Sequence, residues 1–151
     1  MRIYVTGYGV ISSIGENVEE TLLSLQSEKT GIKQGQKPFT ERFKVGEISQ
    51  TNDELVQHFE LTQNASRTAL LGMIAAKEAF HGHELRADLR TGLISGTSVG
   101  GMDVSELAYK DFLKDGSDDL NSYRNHPSGT TSEQIAQELG IDGYVNTIST
   151  A

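Results

Sequence analysis

Three apolar, β-prone runs, each bounded by glycine, constrain this chain most. Ile3 to Val10 is interrupted by Gly7 and Gly9 and leaves through Gly15. Thr91 to Ser95 empties into Gly96-Thr97-Ser98-Val99-Gly100-Gly101, and a last run, Tyr144 to Ile148, comes after Gly143. Short runs rich in Val, Ile and Tyr between glycines read as buried strands, and helical periodicity fills the intervals between them. Strand, helix and strand in alternation, with glycines at strand ends, predict an α/β layered fold with a largely parallel sheet. At 151 residues the chain is long enough for one domain with a sizeable core, and no linker divides it.

The helices carry their own boundary signals. Asn17 is placed as an N-cap, with Glu19 and Glu20 in the first turn and Val18, Thr21, Leu22 and Leu25 as a stripe, predicting a helix over 17–28. Residues 30–44 read as loop, 44–49 as a short strand, and Asn52 opens a brief helix. Asn64 to Phe80 is the clearest helix: its alanines and Gly72 form a small-residue face suited to close packing, and Gly82 ends it. A helix is expected from Met102 to Lys114, then an acidic loop over 115–121. A further helix is expected, capped by Thr131 or Ser132, with Ile135, Ala136 and Leu139 on one face and Gly140 at its end.

Charge and cysteine content remove several function classes. Lys+Arg 13 against Asp+Glu 21 gives a net charge of −8, which argues against a nucleic-acid surface. The chain has no cysteine, which excludes disulfide frameworks and thiolate metal sites and fits a reducing compartment. No run approaches the roughly 20 apolar residues of a membrane span, and the first strand begins at once, without a leader. The expectation is a cytoplasmic protein with no membrane association.

Candidate chemistry is sparse. The Val5 to Gly15 turn invites a dinucleotide reading, but Ser12 stands where the third glycine of G-x-G-x-x-G belongs and no acidic residue ends a second strand about 20 residues on. The alternative is close backbone packing at Gly7 and Gly9. The Gly96 to Gly101 cluster lacks the Gly-Lys-Ser/Thr ending of a phosphate loop, leaving a tight strand-to-helix turn or a small-residue channel beside Val99. His81 and His83 lack a third ligand nearby, so no metal site is expected. His58 completes no site, and His126 lies in a loop beside Pro127. The final run empties into Ser149-Thr150-Ala151, which suits a strand-to-helix elbow presenting a nucleophile in the next position.

Taken in order, these pieces resemble the N-terminal portion of a β-ketoacyl-(acyl-carrier-protein) synthase of the thiolase-like superfamily. Val5-Thr6-Gly7-Tyr8-Gly9-Val10-Ile11-Ser12-Ser13-Ile14-Gly15 is similar to the family's opening V-T-G-x-G-x-V-S-x-x-G, and Gly92 to Gly101 to its second glycine motif. Leu139 to Gly143, with Asn146 to Ala151 after it, is similar to the approach to its T-A-C-S nucleophile. The resemblance implies that residues 1–151 are the N-terminal part of a thiolase-like domain, a layered half with a mostly parallel central sheet flanked by helices.

The resemblance also implies an activity: extension of an acyl thioester by decarboxylating Claisen condensation with malonyl-acyl carrier protein, in fatty-acid or polyketide synthesis and without a cofactor. The nucleophilic cysteine is expected directly after Ala151, and the family's histidines and lysine lie further on. The 151 residues alone are therefore expected to be inactive, and none of the four histidines inherits a catalytic role. Val99 corresponds to a residue at the distal end of the acyl pocket, and Pro127 to Thr131 to a segment that approaches the partner's pocket. Val145, Thr147 and Ser149 lie on the strand that pairs antiparallel with its twofold mate, implying a homodimer or a heterodimer with a related subunit. Arg67, Lys110, Lys114 and Arg124 are the cations nearest the expected carrier-protein docking surface. Asn125 to Thr131 is more polar than the family's fatty-acid enzymes have there, which leaves room for a specialised polyketide or polyene synthase. A non-catalytic chain-length-factor-type subunit is the second reading. A sheet exposed on one face also predicts self-association.

Overall fold

The structure, a computed structural model, describes residues 2–35, 40–86, 88–116 and 120–149. It resolves into two compact units, Met1–Thr51 with Ile74–Gly82 and Asn52–Met73 with His83–Ala151, and the division falls inside one helix.

In the first unit, α1 (Val18–Gln26) begins where the sequence places it. The Asn17 carboxamide oxygen accepts from the Glu20 amide at 2.8 Å, satisfying one of the orphan donors of the first turn. The Glu20 carboxylate accepts from the Glu16 amide at 2.9 Å. The predicted stripe is not what α1 buries. Ser24 is the buried residue, donating to the Ile14 carbonyl at 2.6 Å, while Leu22, Leu23 and Leu25 are each more than half exposed. A hairpin comes next, β1 (Ile32–Gln34) antiparallel to β2 (Lys44–Gly46), with Lys33 opposite Val45. Residues 30–44 are therefore not all loop. Residues 36–39, including Pro38, lie outside the described residues.

The buried strand expected over Ile3 to Val10 is not formed. Among the described residues no strand pairs with this segment, and Ile3, Tyr4 and Val5 are 83%, 71% and 85% exposed. β-prone residues supply only the tendency; a ladder also needs a neighbour's donors and acceptors. The end of the segment is nevertheless anchored. A Cβ on Gly7 would stand 2.0 Å from the Ala79 carbonyl oxygen, and one on Gly9 would stand 2.0 Å from that of Ala75. No residue but glycine permits that approach, so close packing accounts for both. Glu78 completes the anchor: its two carboxylate oxygens accept from the amides of Val10 at 2.8 Å and Val18 at 2.7 Å.

The second unit holds α2 (Asn52–His58), the first part of α3 (Arg67–Phe80), β3 (Gly92–Gly96), α4 (Met102–Asp115), α5 (Leu120–Arg124), α6 (Ser128–Glu138) and β4 (Tyr144–Ile148). β3 and β4 pair in parallel, Gly92 beside Tyr144 through Gly96 beside Ile148, as the strand–helix alternation requires. α6 lies on one face of this pair: the Ser132 and Thr147 hydroxyls meet at 2.6 Å, and Leu93, Ser95, Val145 and Thr147 are half-buried there. Alternation turns Ile94, Tyr144 and Ile148 to the other face, where they are exposed. Leu55, Ala69, Leu70 and Met73 are fully buried, with Ile135, Ala136 and Ile141 nearly so. The small-residue face of α3 serves as expected at Gly72, where a Cβ would come within 2.6 Å of Ile135 Cδ1.

α6 begins earlier than its sequence signals imply. Pro127, at φ −59°, occupies the cap position, so Thr131 and Ser132 are buried inside the helix and cap nothing. α5 occupies part of the predicted acidic loop, whose residues 117–119 lie outside the described residues.

Candidate functional site

Because β3 and β4 run parallel with Gly96 beside Ile148, the chain leaves both strands at the same end of the sheet. That places the 97–101 turn next to the exit of β4. The Thr97 amide continues the ladder by donating to the Ile148 carbonyl at 3.1 Å. In open α/β sheets the space outside the carboxyl ends of strands is where ligands bind.

The turn is held by its own atoms and by the segment opposite. Thr97 Oγ1 accepts from the amides of Val99 at 3.3 Å and Gly100 at 3.2 Å, and the Met102 amide donates to the Val99 carbonyl at 3.1 Å. Gly100 takes φ +54°, the left-handed region, and a Cβ there would lie 2.7 Å from the His126 carbonyl oxygen. At Gly101 the approach is closer still, 1.8 Å from the Asn125 carbonyl oxygen, and the Gly101 amide donates to the His126 carbonyl at 3.2 Å. Gly100 and Gly101 of the second glycine cluster are thus explained by a backbone that must touch residues 125–128.

The expected substrate residues fall on these two segments. Val99 sits in the turn, 47% exposed. Pro127 is exposed at the cap of α6. Thr131 is 1% exposed, and its buried hydroxyl has no hydrogen-bond partner among the described residues. An unmet buried hydroxyl costs about 1–3 kcal/mol, so a polar guest or water beside Thr131 would be favoured.

The expected interface residues share a geometric property. Since the Ile148 carbonyl serves the β3 side, the alternation of a parallel ladder turns the backbone groups of Val145, Thr147 and Ser149 to the opposite edge. The Thr147 amide, accordingly, donates to the Asn146 side-chain oxygen at 3.0 Å. That edge is unpaired among the described residues. Thr150 and Ala151, the last residues of the expected elbow, lie outside them.

Other candidates are dispersed. The Arg67 guanidinium donates to Asn52 Oδ1 at 3.0 Å, and its amide donates to Asp103 Oδ2 at 2.8 Å, which ties the start of α3 to α4. Lys114 lies 3.3 Å from Asp111 on an exposed turn. His81 and His83 are exposed, and among the described residues no group of three or more His, Cys, Asp or Glu side chains could hold a metal ion. No helix of the described residues is long and apolar enough to cross a membrane. Sequence reasoning passed over Ser105, whose hydroxyl lies 2.7 Å from His126 Nδ1. No sequence periodicity pairs Ser105 with His126; the contact depends on the close approach of Gly100 and Gly101 to residues 125–128.

This mixed α/β arrangement, with a glycine turn beside the exit of a parallel strand, is that of the ketosynthases, which have a thiolase-like fold. The chain belongs to the β-ketoacyl synthase family, whose N-terminal-domain model matches residues 1–151. It is 28% identical over 123 residues to 3-oxoacyl-(acyl-carrier-protein) synthase 2 of Staphylococcus aureus strain MRSA252, covering 77% of this chain and 30% of that protein. With the same enzyme of strain N315 it shares 29% over 123 residues. Among solved structures, the ishigamide ketosynthase/chain length factor superposes with a TM-score of 0.79 at 25% identity, over 97% of this chain and 39% of its own. A β-ketoacyl synthase from Burkholderia phymatum shares the fold, with a TM-score of 0.62 at 19% identity. The chain thus spans 30% to 39% of the length of these proteins.

Proposed function

We propose that residues 1–151 form the part of a condensing enzyme that carries the nucleophile to its acyl pocket. The observation behind this reading is the parallel register of β3 and β4, which brings the Val99 turn and the exit of β4 to one end of the sheet. A cysteine directly after Ala151 would sit at a strand-to-helix elbow, where a helix N-terminus favours its thiolate. The thiolate takes the acyl group from an acyl carrier protein, forming a thioester and releasing the carrier thiol. Malonyl-carrier protein then loses CO₂. The resulting carbanion attacks the thioester carbonyl, a C–C bond forms, and the cysteine leaves as thiolate. Amides at the elbow are suited to stabilising the oxyanion of that step.

In this reading Val99 bounds the far end of the acyl pocket, while Pro127 and Thr131 approach the pocket of the partner subunit. Val145, Thr147 and Ser149 supply the edge along which two copies, or two related subunits, join their sheets. The edge of β4, unpaired among the described residues, and the exposed Tyr144, Ile94 and Ile148 support that assembly. The reaction is expected to run in the cytoplasm, where thiols stay reduced.

A second reading, a chain-length-factor-type subunit without the cysteine, is favoured by the likeness to the ishigamide ketosynthase/chain length factor. One test separates the two. The parent protein, with acyl- and malonyl-carrier protein, should release CO₂ and form a 3-oxoacyl product, with cysteine encoded after Ala151. Glutamine or another residue there, with no product from the protein alone, would favour the partner subunit. Cysteine without product would overturn the condensing-enzyme reading.

A further inference from the structure

His126 has three separate attachments. Its amide donates to the Tyr123 carbonyl at 3.2 Å and its carbonyl accepts from Gly101 at 3.2 Å. Its ring Nδ1 meets the Ser105 hydroxyl, one turn into α4, at 2.7 Å. The hydroxyl's other contact, to the Gly101 carbonyl, is long at 3.4 Å, so the bond to His126 is its main commitment. A backbone bond from the turn that holds Val99 and a side-chain bond from α4, the helix that continues it, therefore both reach His126, in the stretch that runs into Pro127 and Thr131.

A rotation at His126 passes straight into the turn. A Cβ on Gly100 would stand 2.7 Å from the His126 carbonyl oxygen, so the two backbones cannot slide without moving residues 99–101. Val99 in turn is tied through its amide to the Thr97 hydroxyl at 3.3 Å and through its carbonyl to the Met102 amide at 3.1 Å.

From this geometry we propose that the Ser105–His126 hydrogen bond is a latch that sets the position of Val99 relative to Pro127 and Thr131, making Ser105 and His126 positioning residues for acyl-chain selection. The latch rests on the proposed condensing function, in which Val99 and the 127–131 segment bound acyl pockets. It joins a wall of one subunit's pocket to the segment that reaches the other's. A preference for acyl length is then a property of the joined pair of segments, and Val99 does not set it alone.

The test uses the full-length parent protein with a graded series of straight-chain acyl-carrier-protein donors. His126→Ala and Ser105→Ala should each change the long-to-short ratio of kcat/KM by about three- to tenfold, the range a single neutral hydrogen bond can contribute. The double variant should change it no further, because both substitutions remove one bond. His126→Asn, which keeps a polar atom near the Nδ1 position, should restore the ratio to within about twofold. A merely structural loss lowers every donor alike and leaves the ratio where it was. Hydrogen exchange of the peptide spanning residues 97–105 should quicken in both alanine variants. Unchanged exchange, an unchanged ratio, or additive effects in the double variant would each overturn the latch. A wild-type protein with cysteine after Ala151 that condenses no donor overturns the functional reading, and the latch's role in selection with it; the exchange measurement distinguishes that failure from a missing latch.

Discussion

Gly101→Ala isolates the claim that the second glycine cluster exists for close packing. Gly101 has φ −95°, so alanine meets no left-handed strain and its whole cost comes from contact. The new Cβ would lie 1.8 Å from the Asn125 carbonyl oxygen and 2.6 Å from its carbon, where ordinary contact begins at 3.4 Å. About 1.6 Å must be found by moving backbone against backbone, with no flexible side chain to yield. Overpacking of this kind costs about 1–3 kcal/mol. The shift also breaks the 3.2 Å bond from the Gly101 amide to His126, adding about 0.5–1.5 kcal/mol. The expected loss is about 2–4 kcal/mol, or roughly 5–15 °C in Tm for a chain of this length. Gly129→Ala is the control: it lies in the first turn of α6, and a Cβ there meets nothing within 4 Å. It should be neutral or stabilise by about 0.4–1 kcal/mol. Urea and thermal unfolding monitored by circular dichroism read both. A Gly101→Ala variant within about 0.5 kcal/mol of the parent, or one more stable than Gly129→Ala, would refute the packing argument.

Three further outcomes depend on single contacts. Glu78→Ala leaves the Val10 and Val18 amides without their carboxylate and should cost about 2–4 kcal/mol in urea unfolding, with Glu78→Gln intermediate; a loss below about 0.5 kcal/mol would contradict the anchor. Ser132→Ala and Thr147→Val should show a coupling of about 0.5–1.5 kcal/mol in a double-mutant cycle, and zero coupling would mean α6 is not held to β4 by that bond. The Arg86 guanidinium, bonded to both carboxylate oxygens of Asp88 at 3.0 and 2.6 Å, holds that carboxyl below its usual range. A depressed folded-state value means the pairing stabilises above the unfolded-state value and is lost as pH falls through the folded one. Carbon-detected NMR titration should therefore find a low Asp88 midpoint that rises in Arg86→Gln and at high salt; a midpoint indifferent to both would contradict the pairing.

Local signals were legible where a residue's own chemistry decides the outcome. Asn17 caps α1, Gly82 and Gly140 take positive φ just past their helices, and the β3 and β4 runs pair as expected. What escaped depends on partners remote in sequence. The Ile3 to Val10 run has strand composition, yet among the described residues no strand pairs with it. The leucines of α1 have helical spacing, yet Ser24 turned inward because the Ile14 carbonyl was there to receive its hydroxyl. β1 was hidden because Ile32-Lys33-Gln34 has little β character of its own and forms only against β2. Within the site, Val99 and the 127–131 segment follow from a resemblance between motifs. Their juxtaposition was not readable, since no periodicity links Gly101 to Asn125 or Ser105 to His126.

The elbow itself is tested most directly by mapping the acyl-enzyme. The parent protein would be incubated with an acyl-carrier-protein thioester, quenched in acid, digested, and its peptides weighed. The acyl mass should appear on the peptide that begins in β4, at the residue directly after Ala151, and should leave with hydroxylamine as a thioester does. An acyl group carried on any other peptide, or a thiol at that position that stays unmodified while donor is consumed, would contradict the account.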